Sequence, residues 1–255
     1  MMRQGTFGRT IWPPIILGVL VVLLWQGAVT IFAIKPFILP GPFQISTEFV
    51  NNFATVLTGV AVTGWNAFVG LVIGSILGVI FAIVAALIRV ADAMFAPIVA
   101  ALAVVPIVAL APVLYTMFGA GAETARQIVA ALAVFVPVFF NTLKGLRQVS
   151  PVHRDLMRSY AATSWQATRT VTLPTAVPYV FTGLRIASSL AVISSLVAEY
   201  FGGPVGGLGR SITSSASSSN YGLAWAYVLG SILLGLLFYS AALGLEKLVS
   251  RRSGG

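Results

Sequence analysis

The chain has 255 residues, of which 58% are hydrophobic and only 8% are charged. A soluble domain carries about 25% charged residues and has no means of hiding so much apolar surface, so a soluble fold is excluded. Apolar runs recur along the whole length, which also excludes a single-span anchor with a soluble head. The absence of cysteine removes disulfides, thiolate metal sites and cysteine nucleophiles. The composition therefore predicts an all-α, polytopic membrane helical bundle.

Six apolar stretches are each long enough to cross a bilayer, which takes about 20 mostly apolar residues. They are residues 11–34, 64–88, 93–118, 127–143, 179–198 and 222–245. Polar residues at 46, 51 and 52 indicate an interfacial helix before the second stretch. Pro97, Pro106 and Pro112 predict a break or kink in the third. Such a kink is typical of a helix that lines a pathway, although packing alone also explains it.

The basic residues indicate the orientation of the spans. An even number of spans puts both termini on one side, and placing that side in the cytoplasm leaves twelve of the 15 Lys and Arg residues inside. Only Lys35, Arg126 and Arg210 then fall outside. This asymmetry is the one that the positive-inside rule expects, so we predict that both termini are cytoplasmic. It also explains the net charge of +9 without a nucleic-acid partner.

Glycine and serine mark three further features. Gly70, Gly74 and Gly78 lie four residues apart in the second span, a spacing that allows close helix packing but also occurs because glycine is common in membrane helices. The glycine-rich segment 202–209 follows a membrane helix rather than a strand, so it predicts a tight outer turn instead of a phosphate cradle. The serine-rich tract 211–220 predicts a polar loop.

The sequence offers no catalytic or metal site. His153 is the only histidine, and no lysine follows a glycine, so the chain has neither a zinc-protease motif nor a P-loop. If ATP drives this protein, another chain must hydrolyse it. Arg185 and Glu199 are the ionisable groups near helix interiors. We interpret Arg185 as a structural anchor, and Glu199 either as a contact at a gate or as an ordinary interfacial charge.

About 30 residues, 144–175, separate the fourth and fifth spans, and so long a connection predicts structure of its own. Ser150 followed by Pro151 is a favourable helix start. An apolar stripe follows at Val152, Leu156 and Tyr160, while two arginines four residues apart occupy another face. A second short helix, 164–170, is predicted to stop before proline 174. The pattern fits equally well a docking element for a soluble partner or an amphipathic helix resting on anionic lipid.

This loop resembles the EAA loop of ATP-binding-cassette (ABC) importer permeases. The matching residues are DLMRSYAATSWQ at 155–166 and VTLP at 171–174. The sequence departs from the family pattern in two places, because E-A-A reads Asp155-Leu156-Met157 and the expected glycine is Ala161. If that position requires a positive φ, alanine costs on the order of 1 kcal/mol, which predicts a turn made differently.

The resemblance extends over residues 36–250 and is closest to the nitrate, sulfonate and taurine subgroup. The matching segments are LPGP at 39–42, ALAP at 109–112, FVPVFFNT at 135–142, GLRI at 183–186 and AEY at 198–200. It implies a type I importer permease fold with about six transmembrane helices. Residues 1–35 would be an N-terminal tail with the first helix, and residues 36–255 the core permease domain with a cytoplasmic coupling loop at 148–175.

The resemblance also implies partners and roles. The expected partners are a second copy of the chain, cytoplasmic ATP-binding subunits, an extracytoplasmic substrate-binding protein and the lipid of a bacterial inner membrane. The chain itself would bind no cofactor, since ATP and Mg²⁺ would belong to the ATPase. The residues expected to contact or position that ATPase are Asp155, Leu156, Arg158, Tyr160, Ala161, Thr163, Trp165, Leu173 and Pro174. Pathway or gate residues would be Glu199, Arg185, Pro106 and Pro112. A secondary carrier or channel that needs no ATPase is the alternative.

Overall fold

The structure, a computed structural model, describes residues 7–119, 121–203 and 206–253 of the chain. The tail before residue 7, the last two residues, and residues 204 and 205 of the predicted outer turn lie outside this description. The α-helices within it are α1 (Phe7–Ile31), α2 (Pro42–Asn51), α3 (Phe53–Leu87), α4 (Arg89–Val104), α5 (Ala111–Phe118), α6 (Thr124–Arg147), α7 (Pro151–Ser159), α8 (Ser164–Ala167), α9 (Leu173–Tyr200), α10 (Leu208–Ser217) and α11 (Tyr221–Ser253).

The prediction of about six spans is confirmed. Among the described residues, α1, α3, α6, the α8–α9 segment and α11 are each long and apolar enough to cross a membrane. α4 and the segment Ile107–Phe118, which correspond to the third predicted stretch, pass the same test only together and meet at an angle of 83°, the geometry of a broken span or a re-entrant loop. Pro106 lies in the break itself, and Pro112 lies in the first turn of α5, where a missing N–H costs nothing.

The core of the bundle is formed by α3, α6 and α9, which pack side by side through small residues. The glycine stripe faces α6: a Cβ on Gly70 would overlap Ala130, one on Gly74 would overlap the carbonyl oxygen of Ala131, and one on Gly78 would lie 3.0 Å from Val138. The two backbones therefore approach too closely for any side chain at these positions.

Two helices are longer than the sequence predicts. α3 begins at Phe53 rather than near residue 64, because its first turns are packed in the bundle, with Val56 and Gly59 buried. The Thr58 hydroxyl is satisfied within the helix by the Ala54 carbonyl at 2.9 Å. The predicted stop before Pro174 is also wrong. The chain passes from α8 through a π-helical turn, Thr168–Thr172, directly into α9. Pro174 lies in the first turn of α9, directly after the π-helical turn. At this position its missing N–H does not interrupt the regular i to i−4 hydrogen bonds of an α-helix.

The serine-rich tract is not a loop, which corrects the sequence prediction. It forms α10, with Leu208 buried and Ile212 one turn later packed against the core, while Ser217 and Ser218 bond to carbonyls of their own helix. Burial of the Leu208 face outweighs the weak helix propensity of serine.

α1 lies apart from the rest of the bundle. Its side chains from Trp12 to Leu24 are exposed, and it meets the bundle at its far end, where Trp25 packs edge to face on Trp225 with ring centroids 5.8 Å apart. The backbone N–H of Phe43 donates to Gln26 Oε1 at 3.0 Å and fixes the turn into α2.

Candidate functional site

The connection between α6 and α9 is an ordered helical hairpin. α7 starts at Pro151 after Ser150 and ends in a Schellman motif, in which the N–H of Ala162 donates to the carbonyl of Met157 at 3.0 Å and the N–H of Ala161 to that of Arg158 at 2.9 Å. Ala161 has φ of +50°, so alanine occupies the left-handed position that glycine usually holds. The prediction of a differently made turn is therefore wrong. The turn keeps the left-handed conformation at residue 161, and alanine adopts it at a steric cost.

α8 begins with a reciprocal cap. The N–H of Gln166 donates to Thr163 Oγ1 at 3.3 Å, and the N–H of Thr163 donates to Gln166 Oε1 at 2.8 Å. This capping box satisfies two orphan donors and fixes the entry into the π-helical turn and α9. The direction of the hairpin is thus set by local hydrogen bonds.

An apolar and aromatic surface projects from the hairpin. We call it the exposed stripe, and its members are Val152, Leu156, Tyr160 and Trp165, with exposed fractions of 72%, 49%, 75% and 67%. Asp155 and Arg158 of the same helix form an exposed pair at 3.5 Å, a contact worth little by itself. Exposed aromatic side chains on an ordered element are typical of a protein contact surface.

Leu173 and Pro174 lie at the root of the hairpin. They form the first turn of α9 and are exposed, so the sequence-predicted coupling residues all lie between α7 and the start of that span. At the other side of the root, a Cβ on Gly145 of α6 would lie 2.6 Å from Tyr179 of α9. The two helices that carry the hairpin are therefore in direct contact at its base.

At the opposite end of α9, Glu199 is the centre of a fully buried polar network. Glu199 Oε1 accepts a hydrogen bond from Arg126 Nη1 at 3.0 Å, and both side chains are essentially inaccessible. Thr63 Oγ1 donates to the same carboxylate at 3.0 Å. The network thereby joins α3, α6 and α9, and neighbouring Gln127 adds a bond from its Nε2 to Asn66 Oδ1 at 3.0 Å.

The same network anchors the start of α10, which has only a glycine at its N-cap. The N–H of Gly209 donates to Glu199 Oε2 at 2.8 Å, and the N–H of Leu208 donates to Thr63 Oγ1 at 2.9 Å. A carboxylate at a helix N-terminus is stabilised by the free N–H groups and by the helix dipole. Glycine is required here, because a Cβ on Gly207 would lie 2.5 Å from the Glu199 carboxyl carbon.

Two further ion pairs link spans to one another. Arg185 Nη1 lies 3.0 Å from Glu246 Oε2, and Thr182 Oγ1 donates to the other oxygen of Glu246 at 3.0 Å, which links α9 to α11. Arg147, the last residue of α6, pairs with Asp92 of α4 at 2.6 Å. Each pair connects a helix next to the hairpin with a neighbouring span.

The structure separates the predicted gate residues. Glu199 lies in the buried network, Arg185 lies in the pair with Glu246, and the prolines lie in the broken span. Sequence reasoning missed the roles of Arg126, Thr63 and Glu246. Their only signal in the sequence is a charge or hydroxyl near the end of an apolar run, and that signal does not reveal a partner about 60 to 140 positions away.

No group of three or more His, Asp or Glu side chains within the described residues is arranged to hold a metal ion. The polar clusters of this part of the chain join helices to one another. Their arrangement is that of a helical membrane scaffold with one ordered contact surface at one end and a buried ion pair at the other.

The chain belongs to the family of binding-protein-dependent transport system inner membrane components, which matches residues 70–253. It is 32% identical over 254 residues to the riboflavin transport system permease protein RibX of Chloroflexus aurantiacus, covering 98% of this chain and 94% of that protein. It is 29% identical over 245 residues to the taurine transport system permease protein TauC of Escherichia coli, covering 92% and 87% of the two chains.

Among solved structures, an amino acid ABC transporter matches with a TM-score of 0.61 and 17% identity over 80% of this chain and 95% of that one, which shows a shared fold. The chain is therefore a multi-pass inner-membrane permease subunit of an ABC importer, a non-enzymatic subunit coupled to an ATPase. This confirms the type I permease fold that the EAA-like loop implied and the subgroup that the matching segments outside the loop implied.

Proposed function

We propose that two copies of this chain enclose the transport pathway, with the α7–α8 hairpin and both termini in the cytoplasm. An ATP-binding subunit docks on the exposed stripe of each copy and holds the ATP and Mg²⁺, while the chain itself binds no cofactor. An extracytoplasmic binding protein delivers the solute at the opposite end. The observation that carries the proposal is the ordered, exposed aromatic surface of the hairpin, because lipid or solvent alone gives no reason for its fixed geometry.

The hairpin is suited to transmit movement into the membrane. The capping box and the π-helical turn lead without a loop into α9, and Gly145 of α6 packs directly on α9. The Arg147–Asp92 pair extends the connection to α4. A displacement of the hairpin by the ATPase therefore moves the ends of three spans together, as a rigid-body transition requires.

The break between α4 and the segment Ile107–Phe118 supports a pathway beside α4. The sixteen residues of α4 rise about 24 Å, so the break lies inside a hydrocarbon core about 30 Å thick. Pro106 has no N–H to donate to the carbonyl oxygen of Leu102. In the part of the chain that the structure describes, no hydrogen bond ends on the carbonyl oxygen of Val105, and Val104 is 83% exposed. Unpaired backbone at this depth is tolerated only against protein or water, so this face lines the pathway or meets the second copy.

Docking is tested by affinity purification of the permease with its ATPase. Tyr160→Ala and Trp165→Ala should each reduce the ATPase recovered by about tenfold or more, since buried aromatic anchors dominate such interfaces. Ser159→Ala is the matched control, because its exposed hydroxyl bonds only to its own helix at Leu156. Normal recovery in both aromatic variants would contradict docking at the stripe.

A transport assay distinguishes an ATP-driven importer from a secondary carrier or channel. Proteoliposomes with permease, ATPase and binding protein should take up solute only with ATP, and riboflavin and taurine, named for two relatives, are the first solutes to try. Uptake by the permease alone would overturn the proposal.

Cysteine labelling tests whether the face at the break of α4 lines the pathway. Since the chain has no cysteine, Val104→Cys should react with a water-soluble maleimide, whereas Leu237→Cys on α11, 62% exposed, should not.

A further inference from the structure

A cavity of about 320 Å³ lies on the side of the hairpin away from the exposed stripe, between α7 and the π-helical turn. Its polar lining comes from His153, Arg154, Arg158, Ser164 and Thr172. Residues 154 and 158 are two positions further along α7 than Val152 and Leu156, which is a rotation of about 200°. The basic side chains and the stripe therefore occupy opposite faces of α7.

The cavity is lined by hydrogen-bond donors that the protein itself leaves largely unpaired. Within the described residues, the side chains of His153, Arg154, Ser164 and Thr172 make no hydrogen bond, and Arg158 has only its 3.5 Å contact with Asp155. No carboxylate lines the cavity. Guanidinium and hydroxyl groups that line one space favour an anion with several acceptor oxygens, and a phosphate group matches both this set of side chains and the volume.

The cavity also lies next to the membrane. Val171 and Thr172 in its wall directly precede Leu173, the first residue of the α9 span, and Val149 follows the end of α6. In the orientation proposed above, this is the level of the cytoplasmic headgroups, where anionic lipids are concentrated. The apolar walls at Val149, Met157 and Val171 suit the glycerol and first methylenes of a lipid.

We propose that this cavity binds the phosphate of an anionic phospholipid headgroup from the cytoplasmic leaflet. The bound lipid holds the basic face of α7 at the membrane surface, and this leaves the exposed stripe turned toward the cytoplasm. The level assigned to the cavity rests on the proposed orientation of the chain, whereas the anion chemistry rests on the donors themselves.

The experiment is native mass spectrometry of the purified permease–ATPase complex supplied with equal amounts of phosphatidylglycerol and phosphatidylcholine. The wild-type complex should retain phosphatidylglycerol selectively. R154Q and R158Q should each weaken that retention about fivefold, the effect of one basic group near an anionic membrane surface. R169Q is the matched control, since Arg169 lies on the same hairpin but outside the cavity lining, and its complex should retain the lipid as the wild type does.

Three results would overturn the inference. If R169Q retains as little phosphatidylglycerol as R154Q and R158Q, the lipid is held by general charge attraction and not by the cavity. If millimolar inorganic phosphate displaces the lipid, the cavity is a site for a soluble anion. Loss of the ATPase from R154Q and R158Q with lipid retention unchanged would show that the arginines bind acidic groups of the ATPase. The ATPase content is read in the same spectra, so failure of docking at the stripe is distinguished from failure of lipid binding.

Discussion

Arg126 and Glu199 form an ion pair 3.0 Å long between the first turn of α6 and the last turn of α9, and neither side chain is accessible. A buried pair of this kind is weak evidence of stabilisation, because desolvation of the two charges offsets much of their attraction. Replacement of one member of the pair is strongly destabilising, since the remaining charge stays buried without its partner. The pair is therefore best viewed as the element that fixes the relative positions of α3, α6, α9 and α10.

Glu199→Gln should destabilise the protein by about 3–5 kcal/mol, because it leaves the Arg126 guanidinium buried and uncompensated. The measurement is thermal unfolding of the purified protein in detergent. Glu123→Gln is the control, as Glu123 approaches Arg126 only to 3.8 Å and its side chain is 48% exposed. If both variants melt alike, the buried pair does not have the role assigned to it.

Thr63→Val should cost about 1–3 kcal/mol, because it removes a donor from Glu199 and leaves the N–H of Leu208 unpaired at the buried start of α10. The loss should appear as faster hydrogen exchange in α10 as well as a lower melting temperature. Thr58→Val, on the same helix, should change little, since that exposed hydroxyl bonds only to its own helix. Unchanged exchange in α10 would contradict the anchoring role of Thr63.

Ala161→Gly should stabilise the hairpin by about 1 kcal/mol, because glycine adopts a φ of +50° without the steric cost that alanine bears. Hydrogen exchange of peptides covering α7 and α8 should slow accordingly. Ala162→Gly gives the comparison, since residue 162 is not among those with positive φ and should lose rather than gain protection. An equal response of the two variants would argue against strain at residue 161.

Gly74→Ala should reduce stability by about 1–3 kcal/mol or prevent folding, because the added methyl group overlaps the Ala131 carbonyl and forces α3 away from α6. Gly235→Ala in α11 is the matched change at a site with nothing within 4 Å of the added Cβ. It should be neutral or slightly stabilising, since alanine is the better helix former. The check is the yield of monodisperse protein together with its melting temperature, and equal yields for the two variants would exclude a packing role for Gly74.

Composition and local sequence patterns were enough to predict the class of the molecule and most of its helices. Composition, the length of apolar runs and the proline positions were sufficient for about six spans and for the broken third one, because a segment in lipid must satisfy its backbone internally and its length is set by the bilayer. The hairpin between α6 and α9 was also evident, since Ser150-Pro151 and the stripe at Val152, Leu156 and Tyr160 are local signals.

The contacts between distant polar residues become visible only once the helices are packed. Arg126 was only counted among the basic residues on the outer side and Glu246 received no role from the sequence, yet each is the partner of a residue on another helix, Glu199 and Arg185 respectively. The serine-rich tract became α10 for the same reason, because burial of Leu208 and a cap supplied by Glu199 outweigh local propensity. Such pairings depend on how helices pack across long stretches of chain, whereas the period and length of an apolar run are properties of neighbouring residues alone.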